Sequence, residues 1–367
     1  MNRTQAREPT AVSQASAPEP AGAAVRNTHA TGGATISVVI PYFQRKPGIL
    51  SAALRSIAAQ QGLDGHAVQI LVVDDGSPAP PEPELASVQL PPAFSARIIR
   101  QLNSGPAAAR NTGLAAVGPS CEYVAFLDSD DTWEPDHLST ALGALRHGEF
   151  YFGDIWYDDA ATWFDGLAHF RTEETQRAAT AIDREAAVFS FPGNSGMKFL
   201  LRECVPHTST VVYAFKRHCD LRFDPRLRMA GEDYLFWLRL CRAAQGTCYS
   251  LRPTARRGHG IDLYRSALNW DSPECIRRLS YKLILYRQLH REFGAAGDEA
   301  DLLGMIHRLR LSISYLMLRN MLRHPSVNLD VLWQLKHQDP ALFFGMPLMA
   351  ARALFSRLAG RLDFAVG

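Results

Sequence analysis

The sequence predicts an α/β fold with one mainly parallel sheet, helices on both of its faces, and a helical C-terminal region. From Ile36 onward, short apolar runs typical of strands alternate with segments of helical periodicity, an order that favours a parallel, doubly covered sheet. Two of these runs, residues 69–73 and 123–127, end abruptly on acids, at 74 and 75 and at 128, 130 and 131. The carboxyl ends of parallel strands form the usual ligand site of such sheets, so we expect a site here.

The first predicted elements follow in a regular order. Residues 36–40 read as a strand that Pro41 ends, and the apolar positions after Pro47 recur at helical spacing. Residues 68–73 are the second predicted strand. The proline-rich connection over 78–92 is expected to be an exposed loop, because proline is not tolerated inside a helix.

The later elements alternate in the same way. Further strands are predicted at residues 97–101, 123–127, 150–157 and 208–215, and helices near Pro106, from Pro135 to about His147, and from Gly231. After residue 272 only helical periodicity remains. We therefore expect a disordered leader over 1–34, an α/β domain over 35–270 and a helical region over 271–367.

Composition narrows the class of protein. The chain has 367 residues, 47% apolar and 21% charged, as in soluble globular proteins, and a net charge of +2. The leader has no apolar core of a secretory signal, no run approaches the ~18 apolar residues of a membrane helix, and the six cysteines form no CxxC motif. We expect a cytoplasmic chain with no nucleic-acid partner.

Five sequence blocks together resemble the inverting family 2 glycosyltransferases of the GT-A fold. The blocks are residues 36–44, 72–77, 105–113, 126–131 and 231–237, in the family's order and spacing. The resemblance implies an enzyme that moves a sugar from a nucleotide-diphosphate donor, with uridine diphosphate as the expected nucleotide. The acceptor would be a hydroxyl of a saccharide or of a lipid-linked molecule, and surface polysaccharide biosynthesis is the common setting of such chains.

A divalent cation is predicted at the acids that follow residue 127. Negative charge accumulates on the leaving diphosphate, and Mn²⁺ or Mg²⁺ neutralises it while taking carboxylate oxygens as ligands. The resemblance implies that Asp130 ligates the metal, that Asp128 contacts the ribose or the metal, and that Ser129 lies on the nucleotide side. His259 resembles a histidine that some GT-A enzymes place on the metal or diphosphate, with an ordinary loop histidine as the alternative.

The resemblance also implies two further nucleotide contacts. Asp75 corresponds to the family acid that accepts a hydrogen bond from the nucleobase, although the turn 74–77 has the composition of a purely structural turn. Arg110 resembles a family position on the nucleotide side, with a solvated helix arginine as the alternative.

The nucleobase contact departs from the family pattern. The usual Pro-x-Tyr-Asn reads Pro41-Tyr42-Phe43-Gln44 in this chain. Phe43 falls where the family often has a tyrosine beside the base, and stacking needs only an aromatic face. Which of the two aromatic residues stacks is left open.

A general base is predicted at the start of the helix after Gly231. The family motif assigns the base to the pair Glu232-Asp233, and we favour Asp233, with Glu232 as its acceptor-binding neighbour. The alternative is that two acids in a first helical turn only stabilise the helix dipole.

Two competing functions use the same residues. Asp128-x-Asp130-x-Thr132 matches the nucleophile motif of haloacid-dehalogenase-like phosphatases, and the segment from Gly153 to Asp158 imitates their later acidic motif. No lysine lies between 131 and 154, however, and the motif follows three strands instead of opening the fold. A catalytically inactive transferase-like scaffold is the second alternative, which no feature of the sequence supports.

The C-terminal region carries two apolar patterns. A stripe at helical spacing is best explained by packing against the α/β core, and consists of Leu302, Ile306, Leu309, Ile313, Leu316 and Met317. Residues 341–361 are mainly apolar and are interrupted by Arg352, Arg357 and Arg361, a composition suited to peripheral contact with an anionic membrane. A helix closing the core or a dimer interface is the alternative for 341–361.

Overall fold

The computed structural model describes residues 35–228, 230–258, 272–296, 299–323 and 329–358. The predicted leader, residues 1–34, and His259 lie outside these ranges. So does the predicted domain boundary near residue 270, which stays a prediction.

One mixed sheet organises residues 35–256. Its strands are β1 (Thr35–Tyr42), β2 (Ala67–Asp74), β3 (Phe94–Arg100), β4 (Cys121–Phe126), β5 (Thr132–Trp133), β6 (Phe150–Trp156), β7 (Thr180–Asp183), β8 (Val188–Pro192), β9 (Val212–Ala214) and β10 (Gly246–Arg256). They are arranged in the order β3-β2-β1-β4-β9-β6-β10-β8-β7, and β5 pairs with β10. Strands β1 to β4 are parallel to one another, as is β6 to β10, whereas β9 runs antiparallel between β4 and β6. The predicted mainly parallel sheet is confirmed.

Helices cover both faces of this sheet and make up the C-terminal region. They are α1 (Leu50–Ala58), α2 (Glu82–Ala86), α3 (Pro106–Ala115), α4 (His137–Ala144), α5 (Glu173–Ala178), α6 (Met197–Arg202), α7 (Glu232–Ala243), α8 (Pro273–Phe293), α9 (Glu299–Arg323), α10 (Leu329–Gln338) and α11 (Pro340–Leu358). Alternate residues of β1 face opposite ways: Val38 lies in one core cluster with Leu54 of α1, and Val39 lies in another with Leu114 of α3. This two-sided burial explains why Val38, Val39 and Ile40 are apolar in succession.

Two predicted elements differ from the structure. The proline-rich connection contains α2, because Pro83 falls in its first turn, where a missing N–H costs nothing; Glu84 of this helix is buried. The strand predicted over 208–215 is shortened to β9 by a 3₁₀ turn at Thr208–Thr210. The hydroxyl of Ser209 in this turn donates to Asp131, and this hydrogen bond accompanies the departure from a straight strand.

The C-terminal helices have a hydrophobic core of their own. Ile306, Leu309 and Ile313 of α9 lie in this core with residues of α8, α10 and α11, whereas Leu302 joins the large core beneath the sheet. The expectation that the whole α9 stripe packs against the α/β core is therefore wrong, because α8 lies between them and Leu285 contributes to the larger core. None of the described helices has the length and apolarity needed to cross a membrane.

Candidate active site

The carboxyl ends of β1, β2 and β4 meet at one edge of the sheet. Because these strands are parallel, Tyr42 lies opposite Asp74 and Val39 opposite Phe126. The turn 128–131 follows β4 at this edge. We call this turn, together with Glu232 and Asp233, the acidic edge.

Asp131 is the most enclosed acid of the turn. Its Oδ2 accepts from the Ser209 hydroxyl and its Oδ1 from the Gly258 N–H at 2.9 Å, while the same Ser209 oxygen accepts from the Asp128 N–H at 3.1 Å. Burial, with Asp128 nearby, raises the pKa of Asp131 to about 7, and the Ser209 bond opposes this rise. Sequence patterns assign no role to Ser209, because it lies 78 residues from Asp131 along the chain.

The loop after β10 touches the turn directly. A Cβ on Gly258 would lie 1.5 Å from the carbonyl oxygen of Asp130, so any side chain at this position would displace one of the two backbones. His259 follows in the chain but lies outside the described residues. Its predicted metal contact stays a prediction.

Arg110 of α3 joins the two halves of the acidic edge. It is 5% exposed, and its Nη2 donates to Asp128 Oδ1 at 2.8 Å while its Nη1 donates to Glu232 Oε1 at 3.0 Å. Burial disfavours the charge, but Asp128, Glu232 and Asp233 outweigh it and raise the pKa of Arg110 above its ordinary value. The alternative of a solvated helix arginine is therefore wrong.

The two acids that open α7 have different surroundings. Glu232 is buried, and burial, followed by the charge of Asp233, raises its pKa to about 7 while Arg110 opposes this rise. Asp233 is half-buried, and its Oδ2 accepts from the Thr208 hydroxyl at 3.4 Å. Asp233 is thus the acid of the pair with the more accessible carboxylate.

Gly231 fixes the start of α7. Its φ of +83° lies in the left-handed region, and a Cβ there would lie 2.4 Å from Cδ2 of Leu285 in α8. Residue 231 is therefore restricted to glycine twice over, and α8 packs against the backbone that presents both acids.

The Asp75 carboxylate organises the loop that precedes α3. Its Oδ1 accepts from the Ser104 N–H at 2.8 Å and from Gln101 Nε2 at 2.7 Å, and its Oδ2 accepts from the Gly105 N–H at 2.9 Å. A carboxylate offers about four lone-pair positions, so about one remains for a nucleobase. Asp75 is therefore a buried structural carboxylate, and its predicted contact with a nucleobase would use the one remaining lone-pair position.

The end of β1 distinguishes the two aromatic candidates. Tyr42 is fully buried, with its hydroxyl directed at α2, whereas Pro41 and Phe43 are half-buried. Only Phe43 of the two aromatic residues therefore has accessible ring surface for a nucleobase. Gln44 Nε2 donates to the Ser129 hydroxyl at 3.2 Å, which ties this strand end to the acidic turn.

His207 borders the acidic edge on the side of Asp131. Its Nδ1 lies 4.0 Å from Asp131 Oδ2, and its ring packs edge-on against Trp163 at 5.9 Å. Burial lowers the pKa of His207, although Asp128 and Asp233 act in the opposite direction. A neutral imidazole is therefore favoured at neutral pH.

The acids of the turn suit a hard divalent cation. The Asp128 side chain is 31% exposed and Asp130 is half-buried, so both can present oxygen ligands. Within the described ranges, which omit His259, no group of three or more His, Cys, Asp and Glu is arranged around a common metal position. Mg²⁺-type sites often use one or two carboxylates and complete the shell with water and phosphate oxygens, which fits this arrangement.

Asp154 has a structural explanation. Its buried Oδ1 accepts from the Ile155 N–H at 2.8 Å and the Phe164 N–H at 3.0 Å. The residue that imitates the later phosphatase motif therefore shapes the connection after β6.

Similarity to known proteins is consistent across sequence and structure. The chain matches the family model described as Glycosyl transferase family 2 over residues 37–205. It is 36% identical over 247 residues to the succinoglycan biosynthesis protein ExoW of Rhizobium meliloti, covering 67% of this chain and 75% of that protein. It is 40% identical over 211 residues to ExoO of the same organism, covering 55% of this chain and 54% of that protein.

The fold is also found among solved structures. The structure of S. aureus TarS residues 1–349 in complex with UDP-GlcNAc superposes with a TM-score of 0.50 and 16% identity, covering 89% of this chain and 84% of that one. At this identity the likeness concerns the fold alone.

Proposed function

The chain belongs to glycosyl transferase family 2 and is a glycosyltransferase, and we propose that it is a metal-dependent, inverting one. It transfers a sugar from a nucleotide-diphosphate donor, with uridine diphosphate as the nucleotide, to a hydroxyl of a saccharide or lipid-linked acceptor. The nucleotide is proposed from the family resemblance. Membership in this family leaves no support for the phosphatase alternative.

The observation that carries the proposal is the convergence of two sets of acids on Arg110. Asp128 comes from the turn after β4 and Glu232 from the start of α7, and both bond to this one guanidinium. Asp130 and Asp233 follow these residues in the chain. A site for the donor diphosphate and a base for the acceptor therefore lie beside each other, as a single displacement requires.

On the donor side, we assign the metal to Asp130, with His259 as a further candidate ligand. Asp128 is already bonded to Arg110, which favours its role as a ribose contact over that of a main metal ligand. A bound Mn²⁺ or Mg²⁺ would supply Lewis-acid stabilisation of the leaving diphosphate. Phe43 and Asp75 would bind the nucleobase.

On the acceptor side, Asp233 is assigned as the general base. Its carboxylate is half-buried: Oδ1 accepts from the Tyr234 N–H at 2.7 Å, and Oδ2 accepts only a long hydrogen bond from Thr208, so Oδ2 remains available to an acceptor hydroxyl. Glu232 is enclosed beside Arg110, and its burial favours a role in holding the site together over direct acceptor binding.

A ligand-stabilisation experiment tests the function. Binding to the folded state raises the melting temperature, so a nucleotide sugar that the enzyme uses should stabilise the full chain when Mn²⁺ is present and much less when it is absent. Asp130→Ala should abolish transfer and the Mn²⁺-dependent part of the shift while its own melting temperature stays close to wild type. Equal Mn²⁺ dependence in this variant would contradict the metal assignment.

The named relatives indicate a biosynthetic role. Two of them are named as succinoglycan biosynthesis proteins, and we propose a role in surface polysaccharide biosynthesis from the cytoplasmic side. A lipid-linked acceptor would make peripheral membrane contact useful. We assign that contact to the predicted segment 341–361.

The exposed face of α11 supports this assignment. Its inner residues Leu342 and Ala353 are buried, whereas Phe344, Leu348 and Phe355 are 74%, 66% and 74% exposed. These three follow helical spacing along one face, and residues 340–358 include arginines but no acid. An apolar face with only positive charge nearby complements an anionic lipid surface.

A further inference from the structure

Arg257 lies beside the acidic edge with no part in the roles assigned above. Its backbone N–H donates to the carbonyl oxygen of Trp156 at 2.9 Å, and the next residue, Gly258, bonds to Asp131. Two successive residues thus fix this loop between the end of β6 and the acidic turn.

The guanidinium of Arg257 is held on an aromatic face. Its Cζ lies 4.6 Å from the ring centre of Tyr157, within the range of a cation–π contact, and Tyr157 is 47% exposed. Among the residues that the structure describes, no carboxylate lies within ion-pairing distance of this guanidinium. The neighbouring Arg256 differs, because it pairs with Asp159 at 3.1 Å.

Arg257 also acts on the acidic edge through space. Its charge interacts favourably with Asp131, the acid to which the next residue in the loop, Gly258, is bonded. Burial lowers the pKa of His207 against the influence of Asp128, and Arg257 lowers it further. Arg257 is therefore close enough to influence both groups without being bonded to either.

We propose that Arg257, positioned by Tyr157, binds the diphosphate of the nucleotide donor. This inference rests on the proposed transferase function. A guanidinium presents paired N–H donors that match phosphate oxygens, and a phosphate near 128–131 needs a cation to offset the repulsion of those carboxylates. A diphosphate on a lipid-linked acceptor has the same chemistry, but the contact of Gly258 with the backbone of Asp130 places the loop at the proposed donor metal.

The test compares nucleotides that differ only in phosphate number. Binding of UDP, UMP and uridine to the full chain with Mn²⁺ is measured by calorimetry for wild type, Arg257→Gln and the matched control Arg256→Gln. Arg257→Gln should weaken UDP about ten- to a hundred-fold and leave uridine within about two-fold, as expected for one charge-assisted contact. Arg256→Gln should bind all three nucleotides like wild type. Tyr157→Ala should show part of the loss in UDP affinity, whereas Tyr157→Phe should not, because it keeps the aromatic ring.

Several results would overturn the assignment. Unchanged UDP binding by Arg257→Gln would do so, as would an equal loss for UDP and uridine, which would indicate general damage to the site. If Arg257→Gln binds UDP like wild type, and only the binding of pyrophosphate to the UDP-saturated variant is lost, the contact belongs to an acceptor diphosphate. A wild-type protein that does not prefer UDP to uridine would instead contradict the proposed function itself.

Discussion

The helical region and the acidic edge both enclose carboxylates, but they balance the charge differently. Asp339 at the start of α11 is 1% exposed, and Arg310 donates to it at 2.8 and 2.9 Å while Arg287 lies 3.2 Å away. At the acidic edge, Arg110 is shared between Asp128 and Glu232. Asp339 thus has two cations for one acid, and Arg110 has two acids for one cation.

This difference separates a carboxylate that serves folding from a cluster that serves binding. A fully paired buried acid costs stability when it loses its partners and offers a ligand nothing. Acids in excess of their cations repel one another in the empty protein and attract a metal ion or a cationic group. Substitutions should therefore lower stability at Asp339 and lower activity at the acidic edge.

The largest expected effect is on catalysis at Asp233. Asp233→Asn keeps the size of the side chain but removes the base, so kcat should fall ~10²–10⁴-fold while donor affinity stays near wild type. Steady-state kinetics and donor calorimetry measure the two quantities. Full activity in the Asn variant, or retention of the donor's anomeric configuration in the wild-type product, would exclude this mechanism.

The next effect is on stability at Asp339. Asp339→Asn leaves Arg287 and Arg310 without their carboxylate and should lower the free energy of unfolding by about 2–4 kcal/mol. Asp330→Asn is the control, since Asp330 pairs with Arg277 in a solvent-exposed bridge and should cost less than about 1 kcal/mol. Chemical denaturation measures both, and similar values for the two variants would contradict the distinction drawn above.

A smaller effect is expected in the pH dependence of stability. The pKa of Glu232 is about 7 in the folded protein against an ordinary value of 4.5. The folded state therefore retains a proton that the unfolded chain releases, and its contribution to stability declines as the pH rises from 4.5 to 7. Between pH 5 and 8, wild type should lose about 1–3 kcal/mol relative to Glu232→Gln in urea denaturation. Equal slopes would show that Glu232 does not titrate in this range.

The smallest effect on the folded protein is expected on the outer face of α11. Leu348→Glu should change the free energy of unfolding by less than about 0.5 kcal/mol, because the side chain is already exposed. It should weaken sedimentation with anionic vesicles about tenfold, and Leu348→Ile should not. A shift from dimer to monomer without any change in vesicle binding would identify the face as a dimer interface.

The sequence predicts the parallel half of the sheet well, for a local reason. Strands β1, β2 and β4 are buried on both faces along most of their length, so each contains successive apolar residues, at 38–40, 70–73 and 124–126. By contrast β7 is largely exposed and pairs only at the sheet margin, and the segment at Thr208–Thr210 is shaped by the bond of Ser209 to Asp131. Sequence patterns over a few neighbouring residues carry no information about these contacts, because the partners are distant along the chain.

The candidate site divides in the same way. The acids that follow strands and open α7 are visible from their positions, although their assigned roles remain predictions. Arg110 bonds to Glu232, which lies 122 positions away along the chain, and the contact of Gly258 with Asp130 depends on how two loops meet. Spacing along the chain shows which groups are available, and the fold determines which of them touch.

The contact between Gly231 and Leu285 has a consequence for modular exchange. The C-terminal helices have their own core, so they look suited to transfer between related chains as one piece. Leu285 nevertheless fills the space where residue 231 would carry a Cβ, and it does so from a helix that contributes to both cores. In a chimera whose α8 carried a bulkier residue at position 285, that side chain would displace the backbone that presents Glu232 and Asp233. The junction is best treated as part of the active site when such hybrids are built, with α7 and α8 inherited together.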